Sequence, residues 1–395
     1  MRLFSGWPSG LSRLIEVGAG AARQNAPVPA RPGRLTGRHP AGRHLTRLLA
    51  GGRYDSLLVT SPANVRYLTG FTGSAGCALV TPRRQYFFTD FRYRDQAGRE
   101  VKDFEVRIVP GSSLEGCCRY IAARRLKTGK IGFDTNDMTV SQHRLMRKLL
   151  KGSAFYDAAG AVEKMRQIKS GGEIERLRQA CAISDAAFGK LSRSRVVSRT
   201  EKEIAWVLGS AMRMQGSGPL PFEIIVASGP RSVLPHGVAS SRVIGAGELV
   251  VVDIGASIDG YCSDATRTFA TGPLPAKLEK IYRVVQEAQQ LALDGALAGE
   301  AAAAVDALAR DYIEAAGYGA DFGHSLGHGV GLEAHEGPVL SKGSKDVLEP
   351  GMAVTIEPGV YLKGLGGVRI EDTVLVTANG PEALTRYPRK LTRLS

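Results

Sequence analysis

Between positions 56 and 133, apolar residues fall in short runs separated by turns. Ser56-Leu-Leu-Val-Thr60, Ala78-Leu-Val80, Gln85-Tyr-Phe-Phe-Thr89, Phe104-Glu-Val-Arg-Ile-Val109 and Lys130-Ile-Gly-Phe133 are too short for stable helices and rich in β-branched and aromatic residues. They predict strands. Segments 113–124 and 141–150 repeat their apolar positions at helical spacing, so this part reads as an α/β domain. Lys169-Ser-Gly-Gly172 then breaks the pattern and a long helix is predicted over 173–191. Thr200 and Glu203 carry the capping-box spacing of a second helix. Two more helices, 274–293 and 302–316, the latter stopped by Gly317, lie between apolar runs ending at Asp253 and Glu357. Helices segregated against antiparallel strands make the C-terminal half α+β, and its hairpin–helices–hairpin rhythm suggests a duplicated core.

The strand periodicity also places chemistry. Asp253 ends the run Glu248-Leu-Val-Val-Val-Asp253, and Asp264 follows the turn signal Asp259-Gly260. Alternate strand residues share a face, so a hairpin turning near 258–260 puts both carboxylates on one side, opposite or diagonal. Glu357 and Glu371 repeat the device, with Gly364, Gly366 and Gly367 expected to supply the reversal. His328 lies between the pairs. Four carboxylates and one imidazole, without a thiolate, suit Mn²⁺, Co²⁺ or Zn²⁺. Four converging anions need more than one cation to offset their repulsion, which points to two ions.

Any one of these acids alone would read as a solvated or ion-paired side chain; Asp264, for instance, has Arg267 three residues on. Three of the chain's seven histidines, His324, His328 and His335, fall within twelve residues, among Gly323, Gly327, Gly329 and Gly331. So many glycines disfavour a helix by about 1 kcal/mol each, leaving a loop or irregular strand that lets backbone crowd a site. One histidine is expected to be a ligand and two to act on substrate. His236 is a further candidate in a loop, and Arg369 shares strand parity with Glu371, whose carboxylate it would orient or whose charge it would simply balance. Cys262 is expected to pack rather than bind, and Asp55, Asp90 and Asp134 to be structural.

Length and charge narrow the alternatives. At 395 residues the chain fits two domains plus a tail. No stretch reaches the roughly 20 apolar residues of a membrane span. The net charge is +14, but residues 1–50 hold eight arginines and one acid, so half the excess sits in an Arg-, Gly- and Pro-rich arm expected to be disordered. The rest is only mildly basic, against a nucleic-acid role. The arm has no secretory h-region; it is weakly similar in composition to an organellar presequence, and an over-extended start would also account for it. Five cysteines without CxxC spacing argue against a disulfide framework and for a cytoplasmic setting.

Taken in order, Asp253-x₁₀-Asp264, His324-x₂-Gly-His328-Gly-Val-Gly-x₃-His335-Glu336, Glu357-Pro-Gly-x-Tyr361 and Arg369-x-Glu371-Asp372 resemble the pita-bread metallopeptidases. The proline-specific branch, Xaa-Pro aminopeptidases and Xaa-Pro dipeptidases (prolidases), is the nearest likeness. Asn64-Val-Arg-Tyr-Leu-Thr-Gly-Phe71 and Phe88-Thr-Asp-Phe-Arg-Tyr93 resemble its creatinase-like N-terminal domain, and Arg166-Gln-Ile-Lys169-Ser170 its domain junction. The resemblance covers about residues 43–395 and leaves the basic arm at 1–42 unmatched; it implies a smaller α/β creatinase-like N-terminal domain at 43–163 and an α+β pita-bread catalytic domain at 164–395. It implies that Asp253 holds one ion, Asp264 and Glu371 bridge two, and His328 and Glu357 hold the second. Manganese is the first expectation, cobalt or zinc the alternatives. It further implies that Glu357 takes the proton of a metal-bridging hydroxide's parent water, with His236, His324 and His335 around the scissile bond and Arg369 in support. The expected substrate is a peptide with proline in second position, and the expected assembly a homodimer. Cleavage of Xaa-Pro dipeptides alone is the alternative, and a non-catalytic binding module on the same fold a further one. The extra N-terminal domain counts against methionine aminopeptidase, and the complete ligand set against metal-independent creatinase.

Overall fold

The computed structural model describes residues 49, 53–124, 126 and 128–395. The arm at 1–42 lies outside the described residues. The first domain runs β1 (Ser56–Val59), α1 (Pro62–Thr69), β2 (Cys77–Val80), β3 (Gln85–Thr89), α2 (Arg94–Glu100), β4 (Glu105–Ile108), α3 (Ser113–Arg124), β5 (Lys130–Phe133), α4 (Val140–Leu149) and β6 (Ala154–Asp157). Its strands form one mixed sheet in the order β4-β3-β2-β1-β5-β6. Leu57 and Val59 face one core, while Leu58 faces the other with Ile121 and Met146. Cover on both faces explains why these strands read as continuous apolar runs rather than alternating ones. Three elements were not expected: β6 and the short helices α1 and α2. Only eight residues long, α1 is too short to display a periodic stripe, and its start is marked chiefly by Pro62 in the first turn.

A five-residue helix, α5 (Glu163–Gln167), leads into α6 (Gly171–Leu191) and α7 (Glu201–Met214). Lys169 and Ser170 form the expected break, whereas Gly171 and Gly172, read above as part of it, already belong to α6. Ser170 and Glu173 form a capping box there, and Thr200 with Glu203 forms the expected one on α7. Each satisfies two free amides and contributes about 1 kcal/mol.

Two sheets follow. The first has the order β19-β11-β8-β7, from β7 (Ile225–Ser228), β8 (Leu249–Ile254), β11 (Ala265–Ala270) and β19 (Thr392–Arg393), with the hairpin β9 (Ser257–Ile258) and β10 (Tyr261–Cys262) between β8 and β11. Helices α8 (Ala276–Gly295) and α9 (Ala302–Ala315) come next, and Gly317 at φ +88° ends α9 as expected. The second sheet has the order β13-β12-β14-β17-β18, from β12 (Gly327–Gly329), β13 (Glu336–Leu340), β14 (Ala353–Ile356), β17 (Asp372–Thr377) and β18 (Gly380–Ala383). A hairpin, β15 (Gly359–Leu362) and β16 (Gly366–Arg369), joins β14 to β17. Helices α6 and α7 share a core with the first sheet, and α8 and α9 with the second. Each half therefore backs a hairpin with two helices. Among the described residues no helix is long and apolar enough to cross a membrane.

Candidate metal centre and active site

The two hairpins are built by register. In the first, Asp253 pairs with Thr266 and Ala265 with Ile254, which sets Asp264 diagonal to Asp253 on the same face. The reversal falls at Asp259 (φ +44°) and Gly260 (φ +75°), the conformation a tight two-residue turn demands. In the second, Ile356 pairs with Asp372 and Gly359 with Arg369, so Glu357 stands opposite Glu371. Of the three glycines expected to turn this hairpin, only Gly364 (φ +78°) does so. Gly366 and Gly367 lie on β16; a Cβ on Gly367 would meet the Ser232 carbonyl oxygen at 2.2 Å, so close backbone approach excludes a side chain there.

His328 sits on β12, an irregular strand rather than a helix. A Cβ on Gly327 would lie 1.9 Å from the Thr355 carbonyl oxygen, and one on Gly329 2.0 Å from that of Gly337. This crowding carries the histidine ring to the acids. Its Nδ1 is 3.0 Å from the Gly329 carbonyl oxygen, which fixes that nitrogen as the donor and turns Nε2 toward Glu357 (3.3 Å) and Asp264 (3.7 Å).

The five predicted ligands converge. Atoms of Asp253, Asp264 and Glu371 lie within 4.8 Å of one another, as do atoms of His328, Glu357 and Glu371, so Glu371 belongs to both groups. A third group joins Asp264 and His328 to His335, bringing His335 within ligand reach as well. Oxygen and imidazole donors suit a hard or borderline divalent ion. Asp253 Oδ1 is buried without a hydrogen-bond partner among the described residues, an acceptor that a cation would satisfy. Burial, followed by the charges of their carboxylate neighbours, raises Asp264 and Glu371 well above the usual carboxylate range. Cations would relieve that repulsion. The residues fit such ions.

Around the centre, a relay of hydrogen bonds sets orientation. Arg369, nearly fully buried, donates to Asp253 Oδ2 at 2.7 Å and to the Thr266 hydroxyl at 3.0 Å. Thr266 in turn donates to Glu371 at 2.7 Å. Arg369 thus grips Asp253 directly and reaches Glu371 by hydrogen bonds only through Thr266, so it does not orient Glu371 itself, although its charge does offset that of Glu371. Arg369 also donates to the Tyr361 hydroxyl (3.1 Å), which lies 3.0 Å from His324 Nε2. With His324 Nδ1 donating to the Ser325 carbonyl at 2.8 Å, Tyr361 is left to donate to Nε2. Arg267 does not pair with Asp264; it meets buried Asp372 at 2.7 Å and touches Glu371 only at its backbone carbonyl.

His236, His324 and His335 line the same cavity of about 360 Å³ as the five ligands, with Phe222, Ile225, Pro235 and Val238 as its apolar wall. Burial lowers His324, and burial together with neighbouring His328 lowers His335, so both are neutral near pH 7. Burial disfavours charge on His328 and Glu357 too, but their mutual contact outweighs it, raising the first and lowering the second. Tyr361 and Thr266 were missed as site residues. Strand parity could have flagged Tyr361, two residues from Gly359 and four from Glu357, but Thr266 could be found only from the cross-strand register. Cys262 packs in a small core with Cys181 and Val330, as expected.

Residues 175–378 match metallopeptidase family M24, and residues 43–168 match the creatinase/prolidase N-terminal domain. The chain belongs to metallopeptidase family M24. Within the family it is 44% identical to an uncharacterized peptidase of Bacillus subtilis, over 85% of this chain and 95% of the relative. It is 37% identical to a Xaa-Pro dipeptidase of Pyrococcus horikoshii, over 85% and 94%. Among solved structures, a Xaa-Pro dipeptidase from Bacillus anthracis superposes with TM-score 0.85 at 43% identity, covering 89% of this chain and 98% of that one. An X-Pro aminopeptidase from Thermotoga maritima gives 0.81 at 37%, covering 89% and 99%. The M24 fold here is a pita-bread domain preceded by a creatinase-like one, and its similar proteins include the proline-specific peptidases just described.

Proposed function

We propose that this chain is a two-metal Xaa-Pro aminopeptidase, releasing the first residue of peptides that carry proline in second position. The observation that carries the reading is the sharing of Glu371 between two ligand groups that open on one apolar-walled cavity. Asp253, Asp264, His328, Glu357 and Glu371 would hold the ions, with manganese preferred. Such a pair supplies a water of near-neutral pKa and a polarised carbonyl.

The chain's own residues would do the remainder. Glu357, steadied by Thr355 at 3.3 Å, accepts the proton of the attacking water and hands it to the leaving proline nitrogen. Neutral His324 and His335, with His236, surround the carbonyl as its oxygen gains charge. Arg369 keeps Asp253 in place. The bond before proline is a tertiary amide with no N–H to satisfy, and Phe222, Ile225, Pro235 and Val238 offer that nitrogen a wall without side-chain donors.

Cleavage of dipeptides alone is the second reading, favoured by the names of two of the relatives above. The test is metal analysis with kinetics on Ala-Pro beside longer Ala-Pro peptides, for wild type and Glu357→Gln. The variant is expected to fold and to lose at least a thousandfold in kcat. Comparable turnover would remove Glu357 from the chemistry.

A further inference from the structure

Helix α7 turns one face to solvent. Lys202, Trp206 and Arg213 lie along it, and with Leu220, Ile224 and Ala239 across from them they wall a groove of about 790 Å³. This groove adjoins the catalytic cavity: Phe222, Glu223 and Val238 line both. Its floor is apolar, a Cβ on Gly209 falling 3.3 Å from Ile224. Trp206 is 75% exposed, an unusual placement for an indole. Lys202 and Arg213 take part in no ion pair among the described residues, although arginines elsewhere in the chain are widely paired. From Lys202 to Arg213 the helix rises about 16 Å at ~1.5 Å per residue, the length of roughly five extended residues.

We infer that this groove takes the substrate residues that follow the proline, so that the preferred substrates are Xaa-Pro peptides several residues longer than a dipeptide. An extended peptide offers what the groove lacks: apolar side chains to cover Trp206 and a terminal carboxylate to meet Lys202 or Arg213. Glu223, exposed where groove and cavity join, disfavours an acidic residue directly after the proline. A second copy of the chain would cover the indole equally well, but it would fill the groove right beside the catalytic cavity. The inference rests on the proposed peptidase reading and selects its aminopeptidase form.

The experiment uses the metal-loaded full chain and the series Ala-Pro, Ala-Pro-Leu, Ala-Pro-Leu-Ala and Ala-Pro-Leu-Ala-Leu, each as free acid and amide. For wild type, kcat/KM should rise about tenfold or more from dipeptide to pentapeptide, chiefly through KM. Trp206→Ala should remove most of that rise. Lys202→Gln with Arg213→Gln should erase the preference for the free acid over the amide. A flat length profile in wild type overturns the inference while leaving the peptidase reading intact, as does a Trp206→Ala effect equal on all lengths. So does dissociation of a dimer by Trp206→Ala with the length profile retained. Failure to cleave any Xaa-Pro peptide would instead overturn the parent reading, and the inference with it.

Discussion

Glu336 offers a test of how the two domains are joined. Its carboxylate accepts from Arg166 and from Lys169 Nζ, the latter at 2.7 Å, and the three side chains are 5%, 3% and 1% exposed. Arg166 reaches in the other direction to Asn64 on α1, at 2.9 Å. The acid therefore ties the first domain to the strand that begins one residue after His335. In Glu336→Gln, two buried cations lose their shared anion. Breaking such a pair from one side costs about 3–5 kcal/mol. The lower end applies, because Glu333 remains 2.7 Å from Arg166, although half exposed. At about 2–4 °C per kcal/mol for domains of this size, Tm should fall by roughly 6–12 °C. Thermal unfolding of the metal-loaded chain reads this directly. Glu333→Gln is the control, expected to cost no more than about 1 kcal/mol because water already screens that acid. The reasoning fails if Glu336→Gln shifts Tm by less than about 6 °C, or if the two variants cost the same.

Three further outcomes are expected. Gly327→Ala should destabilise by about 3 kcal/mol or more and abolish activity, because its Cβ would strike the Thr355 backbone beside His328; Gly364→Ala, with open space around it, should cost only the ~1 kcal/mol of its positive φ. Parallel Tm and activity measurements on the pair would separate crowding from turn strain, and equal losses would contradict the assignment. Chelation should lower Tm more at pH 8 than at pH 5. Asp264 and Glu371 have raised folded-state pKa values, so in the metal-free chain their contribution to stability is fully present below the unfolded carboxylate value near ~4 and is lost as pH rises. Bound ions replace those protons and cancel the decline, so parallel Tm–pH curves with and without chelator would refute it. All five cysteines are free and buried, with burial pushing the Cys118 thiol up to about 12, so thiol alkylation at pH 8 should await unfolding. Rapid labelling of the native chain, read by mass, would show the thiols to be more open than this.

What could be read from the sequence follows period and turn chemistry. β3 and α3 appear at their expected bounds because an apolar run or a helical stripe leaves few alternatives at those lengths. The carboxylate pairs were legible for the same reason: period two fixes the face, and Asp259-Gly260 fixes where the chain turns. Arg369 marks the boundary of that reasoning. Its parity gave the face it occupies, but its choice of Asp253 over Glu371 depends on how β8 and β16 are brought side by side, which no local pattern encodes. The same holds for Arg267, whose partner Asp372 lies 105 positions away. Ser170 was missed differently: glycines at 171 and 172 resemble a break, yet the reciprocal bonds of Ser170 and Glu173 outweigh their poor helix propensity.

The geometry of the candidate centre therefore resides as much in two turns as in the five side chains proposed as ligands. Asp264 is diagonal to Asp253, whereas Glu371 is directly opposite Glu357, and each relation is set by a register continuous from the tip of its hairpin to the ligand. In the first hairpin Ile258 pairs with Tyr261 and Ile254 with Ala265; in the second, Leu362 pairs with Gly366 and Ile356 with Asp372. A slip of one residue in either turn would move one acid of a pair to the far face of its strand, out of ligand reach. Core packing resists such a slip, since it would also turn Val252 and Val374 out of their clusters. The apolar positions that make these segments strands are thus the same ones that hold the acids in register. Metal affinity and fold stability share a cause here, and a change deep in either hairpin should weaken both together.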